Sequence, residues 1–406
     1  MNKQFRYSVV KKHKGTLARA GVIHTPHGCI ETPAFIAVGT KATVKALTPE
    51  QIASTGAQAV LANAYHLYLQ PGAARIDAAG GLGAFMNWDG PTFTDSGGFQ
   101  VLSLGVGFKK VINMNADANE QMATVHKGER LAHVDNAGVR FKSHIDGSLH
   151  KFTPESSIQI QHQLGADIMF AFDECTSIAQ PYSYQKKSLA RTHAWAEQCI
   201  AEHQKQTKLR KEKPYQALFG VIQGANYKDL RQEAASFMGG LPFDGYGIGG
   251  ALEKEKLGTI VQWVNEILPQ NKPKHLLGLS EPDDIFIGIE NGTDTFDCVS
   301  PARIARNGSL YTLTGRFTVK NARFADDYSA VVEDCACYTC QNYTKAYLHH
   351  LFKAGERLAA TLATIHNEYF IVHLVKTIRS SIIDGTFDTL KIDWLSRYYS
   401  KTYKNQ

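Results

Sequence analysis

The stretch ALFGVIQGANYKDLRQEAASFMGGLPFDGYGIGG, residues 217–250, contains two short apolar runs on either side of a segment with a helix-like pattern. Each apolar run ends in small or polar residues, QG in the first case and GG in the second. Short apolar strands that alternate with helical segments are typical of parallel βα units. The stretch therefore predicts two neighbouring parallel strands that are joined by a helix.

The same alternation recurs along the chain and gives eight apolar runs in all. The runs are PAFIAVG (33–39), AVLANAY (59–65), PTFTDSG (91–97), DIMFAFD (167–173), ALFGVIQG (217–224), GYGIGG (245–250), HLLGLS (275–280) and TFDCVS (295–300). Eight successive βα units indicate a closed barrel rather than an open sheet. The 406 residues are also enough for an elaborated barrel. We therefore predict an α/β fold, a (β/α)8 TIM barrel.

Helix boundaries support this alternation. The triplet Thr-Pro-Glu occurs at 48–50 and again at 153–155. In each triplet a capping residue precedes a proline at the first helical position. Gly56 and Gly165 stand where the two helices should end, because glycine is the preferred residue just past a helix C-terminus.

Composition and charge narrow the class of protein. Apolar residues make up 43% of the chain and charged residues 20%, which is the balance of a folded globular protein. No apolar stretch approaches the ~18 residues that span a bilayer, and the N-terminus lacks the apolar core of a secretory signal. We therefore expect a cytoplasmic protein with no membrane partner. The net charge of +6 suits a polyanionic partner.

Seven cysteines are present, and three of them, Cys335, Cys337 and Cys340, fall within six residues. An odd count with this spacing indicates a metal site rather than a set of disulfides. A tetrahedral structural zinc needs a fourth ligand. The candidates are His349, His350 and His366, and the spacing alone leaves all three open. Three cysteines and one histidine leave no vacant coordination position, which predicts a structural rather than a catalytic metal.

Three carboxylates, those of Asp95, Asp173 and Asp297, stand at the C-terminal ends of predicted strands. In a barrel these ends meet at one mouth, where active sites form. A single aspartate after a strand is commonly a helix N-cap. Three on one rim, each in an apolar stretch, favour a functional site, because burying an unpartnered carboxylate is costly. Amide and backbone groups at the same rim come from Asn63, Gln223, Gly249 and Gly250.

Six motifs in order give the chain a specific resemblance. They are FTDSGGFQ (93–100), AFDECT (171–176), VIQG (221–224), GYGIGG (245–250), FDCVSPAR (296–303) and CACYTC (335–340). The chain resembles the tRNA-guanine transglycosylases of bacterial type, also called the queuine tRNA-ribosyltransferase family. The resemblance runs from about Thr16 to the C-terminus, apart from an insertion at about 104–138, for which the family offers no role.

The resemblance implies a role for each site residue. Asp297 is the expected nucleophile, which attacks the ribose anomeric carbon of the wobble guanosine, and Asp95 is the expected general acid/base. The residues expected to bind the base are Asp173, Gln223, Gly250, Cys175 and Phe99. Two arginines that follow the nucleophile, Arg303 and Arg306, are the expected tRNA contacts. For Phe99 and the arginines the alternatives are barrel packing and solvated surface.

The resemblance also implies the metal ligands and the domain organisation. The family spacing selects His366 as the fourth ligand of one structural Zn²⁺ per chain. A zinc-binding subdomain is expected at 304–368, between the two parts of the TIM barrel at 1–303 and 369–406. By resemblance this subdomain grips tRNA and supports a homodimer, and the segment after it closes the barrel as its last helix.

The implied reaction exchanges the wobble guanine of tRNAs with a GUN anticodon for a 7-deazaguanine, in queuosine biosynthesis. Residues 251–255 read ALEKE, where the bacterial members of the family resemble LAVGE. This segment borders the substituent on the incoming base. The motif AFDECT favours 7-aminomethyl-7-deazaguanine, and queuine is the alternative.

Two other functions fit part of the sequence. A carboxylate-based nucleoside or glycoside hydrolase would use Asp95 and Asp297, but it would leave the cysteine cluster unexplained. A non-catalytic tRNA-binding subunit would explain the cluster, but not the presence of both carboxylates. Incorporation of free base into tRNA and trapping of a covalent complex separate the three functions.

Overall fold

The computed structural model describes residues 5–100, 132–250 and 253–400. The strands are β1 (Arg6–Lys12), β2 (Arg19–Thr25), β3 (Gly28–Thr32), β4 (Ala34–Val38), β5 (Val60–Ala62), β6 (Thr92–Thr94), β7 (Ala132–Asp135), β8 (Gly138–Lys142), β9 (Leu149–Phe152), β10 (Ile168–Phe170), β11 (Ala217–Ile222), β12 (Gly245–Ile248), β13 (Lys274–Leu276), β14 (Thr295–Cys298), β15 (Ser309–Thr312) and β16 (Gly315–Thr318). The α-helices are α1 (Pro49–Ser54), α2 (Ala64–Leu69), α3 (Ala73–Ala78), α4 (Leu82–Met86), α5 (Pro154–Leu164), α6 (Tyr182–Leu209), α7 (Lys228–Gly240), α8 (Leu257–Asn265), α9 (Pro282–Glu290), α10 (Ser300–Arg306), α11 (Tyr338–Asn342), α12 (Lys345–Ala354), α13 (Arg357–Asp384) and α14 (Phe387–Tyr398). Short 3-10 helices span Lys254–Lys256 and Ala322–Phe324.

A closed parallel barrel forms the centre of the molecule. Its strands follow the order β4, β5, β6, β10, β11, β12, β13 and β14. The barrel closes where β14 pairs with β4, with Asp297 opposite Ile36. Each of the eight apolar runs overlaps one of these strands, so the predicted (β/α)8 fold is confirmed.

The two predicted helix starts are also confirmed. The hydroxyls of Thr48 and Thr153 each accept a hydrogen bond from the backbone N–H three residues later, in capping boxes at the starts of α1 and α5. Gly56 and Gly165 follow these helices with φ of +83° and +71°. This left-handed conformation favours glycine and ends a helix.

A small antiparallel sheet, β1–β2–β3, covers the N-terminal end of the barrel. Ile23 and Ile30 of this sheet, together with Phe5 directly before it, join the apolar cluster inside the barrel. The Phe5 ring lies 6.0 Å from the Phe219 ring. The Tyr7 hydroxyl donates a 2.6 Å hydrogen bond to Asp294, which directly precedes β14. Because this end is covered, a ligand must approach from the C-terminal ends of the strands.

The second sheet outside the barrel, β7–β8–β9, lies between β6 and β10 in the chain. Its buried residues Phe141 and Phe152 pack beside Tyr65 and Tyr68 after β5. Of the predicted insertion at 104–138, residues 104–131 lie outside the described part. Residues 132–138 begin this sheet, and the excursion from the barrel continues to Phe152.

The segment after β14 combines the β15–β16 hairpin, the helices α11 and α12, and the 28-residue helix α13. Helix α13 packs against α10 and β4, which is the place of the eighth helix of the barrel. The expected division after residue 368 falls inside α13, so one continuous helix belongs to both expected units. None of the helices in the described ranges is long and apolar enough to cross a membrane.

Candidate active site

Asp297 lies near the C-terminal end of β14, with its side chain 13% exposed at the mouth of the barrel. The ring Nε2 of His275 lies 2.9 Å from Oδ1 of Asp297. The backbone N–H of Gly278 donates to the same oxygen at 3.2 Å. Both bonds fall on Oδ1, so the carboxylate is held in one orientation, and none of the described residues bonds Oδ2.

His275 is a site residue that the sequence reasoning missed. Its ring is fully buried, with Nδ1 2.8 Å from the Thr295 hydroxyl and Nε2 against Asp297. It also packs beside the rings of Phe93 and Phe170 inside the barrel. The available signal was a polar residue within an apolar strand, because buried polar groups require partners.

Asp95 follows β6 and faces the same mouth. It accepts hydrogen bonds from the Ala64 N–H at 2.9 Å, from Gln100 Nε2 at 2.7 Å and from the amide of Asn63. Burial raises the pKa of the Asp95 carboxyl to about 6, although these bonds act in the opposite direction. The negative charge of Asp297 raises this pKa further, which indicates that the two carboxylates lie close enough to interact.

Asp173 follows β10 and is buried. The Ser96 hydroxyl donates to its Oδ1 at 3.2 Å, and Gln223 Nε2 donates to its Oδ2 at 2.7 Å. Burial raises the pKa of the Asp173 carboxyl to about 6. The structure thus brings Asp173 and Gln223 together as an acceptor and a donor on adjacent strands of the barrel.

Glycines leave room beside these polar groups. A Cβ atom on Gly98 would lie 2.7 Å from the Asp173 carbonyl oxygen, and one on Gly250 would lie 2.8 Å from Gln223 Oε1. Gly250 also has a φ of +97°, which disfavours other residues. Only glycine therefore lets the backbone lie this close to Asp173 and Gln223.

The other predicted site residues lie around this centre. Cys175 and Phe99 are half-buried after β10 and β6. Arg303 and Arg306 are half-buried on α10, directly after β14. Their guanidinium groups donate within that helix, to Ser300 Oγ at 2.8 Å and to the Ala302 carbonyl oxygen at 3.1 Å.

Several basic side chains lie close together on the rim of the barrel mouth next to α10. Lys41 and Lys45 are exposed on the loop after β4. Burial, together with the charges of Arg306 and Lys41, lowers the pKa of Lys45. The sequence reasoning missed these two lysines, although their place just after a barrel strand was a usable signal. Crowded cations at a rim attract an anionic ligand.

A second cluster lies outside the barrel mouth and contains Cys335, Cys337, Cys340 and His366. Their possible ligand atoms all lie within 4.8 Å of one another. Cys337 caps the N-terminus of α11, which turns Cys340 back towards it. This set can hold one metal ion.

Among the three candidate histidines, His366 is the one in this cluster. Its Nδ1 lies 3.3 Å from Cys340 Sγ, and its Nε2 lies 2.8 Å from the Tyr311 carbonyl oxygen. A carbonyl partner of this kind fixes the ring with Nδ1 towards a metal. His349 instead bonds the Val319 carbonyl oxygen, and His350 is exposed beside Tyr347.

Comparisons with known proteins agree along almost the whole chain. The profile of the family described as queuine tRNA-ribosyltransferase matches residues 14–400. The chain is 46% identical over 402 residues to the queuine tRNA-ribosyltransferase of Thermoanaerobacter pseudethanolicus, with 98% of this chain and 99% of that relative covered. The protein of the same name from Caldanaerobacter subterraneus subsp. tengcongensis is 45% identical over 397 residues, with 97% and 98% covered. The one from Streptococcus uberis is 44% identical over 405 residues, with 98% of each covered. The chain therefore belongs to the queuine tRNA-ribosyltransferase family, and it is an enzyme of the pentosyltransferase class.

Proposed function

We propose that this enzyme exchanges the wobble guanine of tRNAs with a GUN anticodon for a 7-deazaguanine through a covalent aspartyl-ribosyl intermediate. The observation that carries the proposal is the set of three carboxylates at one barrel mouth, each with a different environment. Asp297 is anchored at one oxygen, Asp95 interacts with it electrostatically, and Asp173 is paired with an amide.

In the first step, Oδ2 of Asp297 attacks the anomeric carbon of the wobble nucleotide. The bond from this carbon to the base breaks, and the base leaves with the electron pair. His275 and Gly278 hold Oδ1 during the attack and remain bonded to it as the carbonyl oxygen of the ester. Carboxylates suit this chemistry because they stabilise the oxocarbenium-like centre before bonding to it. The incoming base reverses the same steps.

Asp95 is proposed as the general acid/base. A pKa of about 6 lies close to neutral pH, where a group can both give and take a proton efficiently. It protonates the departing guanine and takes the proton from the incoming base. Its interaction with Asp297 supports a position beside the same glycosidic bond.

Asp173, Gln223 and the Gly250 N–H are proposed to bind the base. The ionised Asp173 carboxylate accepts from the ring N–H and the amino group of a guanine-type edge. Gln223 Nε2 and the Gly250 N–H donate to the carbonyl oxygen of that edge. The short distance between Asp173 and Gln223 supports this arrangement, with Cys175 and Phe99 lining the same pocket.

The anticodon loop is proposed to lie across the positive rim. Bases of such a loop are easily turned out of the stack into a pocket, so the wobble base can reach Asp297. Arg303, Arg306 and Lys45 would contact the phosphates on either side. We place this reaction in the cytoplasm.

We propose 7-aminomethyl-7-deazaguanine as the incoming base, with queuine as the competitor to be tested. The motif around Cys175 and the bacterial relatives support the smaller base, although those relatives carry queuine in their name. Residues 251 and 252, which belong to the segment expected to border the substituent, lie outside the described residues.

The metal is proposed to be a structural Zn²⁺. Three thiolates and one imidazole match its preferred tetrahedral ligand set and leave no open position for substrate. Zinc would fix the hairpin β15–β16 and helix α11 against α13, since Tyr311 and His366 belong to these elements.

A homodimer is proposed through a row of rings formed by Tyr343, just before α12, and by the exposed Tyr347 and His350 on α12. The Tyr343 and Tyr347 rings stack at 5.5 Å, and the His350 ring continues the row at 6.4 Å. Aromatic rings are enriched at the centres of interfaces. Tyr347→Ala should shift sedimentation from dimer to monomer, and an unchanged dimer would contradict this surface.

The test of the proposed function is incorporation of labelled guanine into a GUN-anticodon tRNA, with Asp297→Asn alongside. We expect incorporation and a covalent complex with the wild type, and neither with the variant. Release of guanine without incorporation would favour the hydrolase. If a folded, metal-loaded wild type binds tRNA without incorporating guanine, the result would favour the non-catalytic tRNA-binding subunit. Competition between the two 7-deazaguanines then identifies the base.

A further inference from the structure

Arg231, on helix α7, lies fully buried behind the wall of the proposed base pocket. Its Nε donates to the Ala225 carbonyl oxygen at 2.8 Å. Its Nη1 donates to the carbonyl oxygens of Ile222 and Gly249, both at 2.9 Å. These acceptors lie at the C-terminal ends of β11 and β12, where the pocket begins. The guanidinium therefore stands at the mouth of the barrel, on the protein side of the wall.

All three acceptors of Arg231 are neutral. Among the described residues, no carboxylate forms an ion pair with it. Burial lowers the pKa of Arg231 to about 9, so the group still carries its charge at neutral pH. A buried charge without a counter-ion is costly. Linking backbone carbonyl oxygens does not by itself require a buried charge, because a neutral amide side chain can also donate two hydrogen bonds to them.

One nitrogen of Arg231 lies beside Gly250. Within the described ranges, its buried Nη2 has no hydrogen-bond partner, and the same is true of Gln223 Oε1. A Cβ atom on Gly250 would lie 3.1 Å from that nitrogen and 2.8 Å from that oxygen. An unused donor and an unused acceptor thus flank the same point in the wall. The other end of the Gln223 amide is bonded to Asp173.

We propose that Arg231 is a positioning residue for the base exchange, and that it acts through Gln223. When a base fills the pocket, an Nη2 N–H of Arg231 donates to Gln223 Oε1 and turns Nε2 from Asp173 to the carbonyl oxygen of the base. The inference rests on the proposed function, and it names an electrostatic component of the same site.

The chemistry of the leaving base explains why a positive charge belongs here. The base departs with the electron pair of the broken glycosidic bond, and its ring system carries part of that charge to the carbonyl oxygen. Gln223 Nε2 meets this oxygen, and the cation on the other side of the amide polarises the N–H group. A fixed charge in a water-poor site stabilises a transition state without reorganisation. Asp173 is freed at the same time to accept from the base.

The experiment compares Arg231→Gln, Arg231→Met and Arg231→Lys with the wild type in guanine exchange. Removing one oxyanion donor directly costs about 100–1,000-fold in kcat. Because Arg231 acts through an amide, we expect a smaller loss, of roughly 10–100-fold, for the Gln and Met variants. The KM for tRNA should stay unchanged, and the Lys variant should retain more of kcat than the Gln variant.

The matched control is Arg379→Gln. Arg379 is also buried and also bridges carbonyl oxygens, those of Gly21 and Thr32, but at the covered end of the barrel. This variant should lose stability in urea and keep the kcat of the wild type. It separates the loss of carbonyl bridging from the loss of charge at the pocket.

A second measurement is independent of turnover. The charge of Arg231 interacts with Cys175, and a cation favours the reactive thiolate. Iodoacetamide should therefore alkylate Cys175 more slowly in Arg231→Gln than in the wild type, whereas a loosened pocket would speed the reaction.

The outcomes separate the two proposals. No exchange by the wild type overturns the proposed function. Exchange by the wild type with an unchanged kcat in Arg231→Gln overturns only the role of Arg231. Faster alkylation together with a raised KM for tRNA would also overturn it, because that pattern indicates a structural role.

Discussion

Replacing Asp173 by Asn should weaken base binding and stabilise the fold at the same time. Burial raises the pKa of this carboxyl from 3.8 to about 6. A group with a raised folded pKa contributes stability at low pH and loses it as pH rises through the folded pKa. A rise of about two pKa units means that the ionised carboxylate lowers the free energy of unfolding by about 3 kcal/mol at pH 7 and above. The Asn oxygen partly keeps the hydrogen bond from Gln223. We therefore expect the free energy of unfolding of Asp173→Asn to exceed that of the wild type by about 2 kcal/mol at pH 7 and above.

The assay is unfolding of the metal-loaded protein between pH 4 and pH 8, combined with guanine binding by calorimetry. The increase in the free energy of unfolding of Asp173→Asn over the wild type should be near zero at pH 4, appear between pH 4 and 6, and level off above pH 7. For a chain of 406 residues, 2 kcal/mol corresponds to roughly 2–3 °C in melting temperature. Guanine affinity at pH 8 should fall, because Asn presents an N–H group to the donors of the base.

Asp77→Asn is the control with the opposite sign. Asp77 accepts two bonds from Arg210, at 2.6 and 2.9 Å, and these bonds lower its pKa. Its replacement should therefore reduce stability at pH 8 and have a smaller effect as pH falls. If Asp173→Asn destabilised the protein equally at pH 4 and pH 8, burial of the ionised Asp173 carboxylate would not be what destabilises the wild type. If it left guanine affinity unchanged, the pocket would be wrong.

Three further predictions concern the other site residues. His275→Phe should lower kcat by about 10–100-fold and leave tRNA affinity unchanged, because Asp297 loses the hydrogen bond from the His275 ring. Steady-state kinetics measure both quantities, and an unchanged kcat would refute the prediction. His366→Ala should lose bound metal in elemental analysis while His349→Ala retains it, and equal retention would contradict the ligand set. Burial raises the pKa of Asp95 to about 6. The kcat/KM for the incoming base should therefore fall as pH drops through 6, where the base form is lost, and the kcat/KM for tRNA should fall as pH rises through 6, where the acid form is lost. Limbs near pH 4 in both profiles would exclude Asp95.

The sequence predicted the strands well because each barrel strand is a short apolar run between clear helix signals. Runs such as 217–224 and 245–250 are buried on both faces, and this burial is why they read as continuous apolar stretches. The helix starts were predictable because capping is a local interaction between residues three apart. Closure between β14 and β4 followed only from counting eight units.

The parts that escaped the sequence depend on contacts between distant residues. His275 gains its meaning from Asp297, 22 positions away on the neighbouring strand. Arg231 lies in the first turn of an ordinary amphipathic helix, and only the fold reveals that it is buried behind Gly250. The choice of His366 over His349 likewise depends on how α13 lies against α11.

Helix α13 makes the order of synthesis matter for this protein. It packs against β1, β2 and β4, and Arg379 near its end bonds the carbonyl oxygen of Gly21, 358 positions earlier. At about 5–20 residues per second, a ribosome needs roughly 20–70 s to add the residues between them. Until residue 298 is added, the nascent chain holds β4 with one edge unpaired, because its partner β14 is not yet present. The barrel can close only once β14 has been added, so the open edge of β4 must stay unpaired until then without joining another chain.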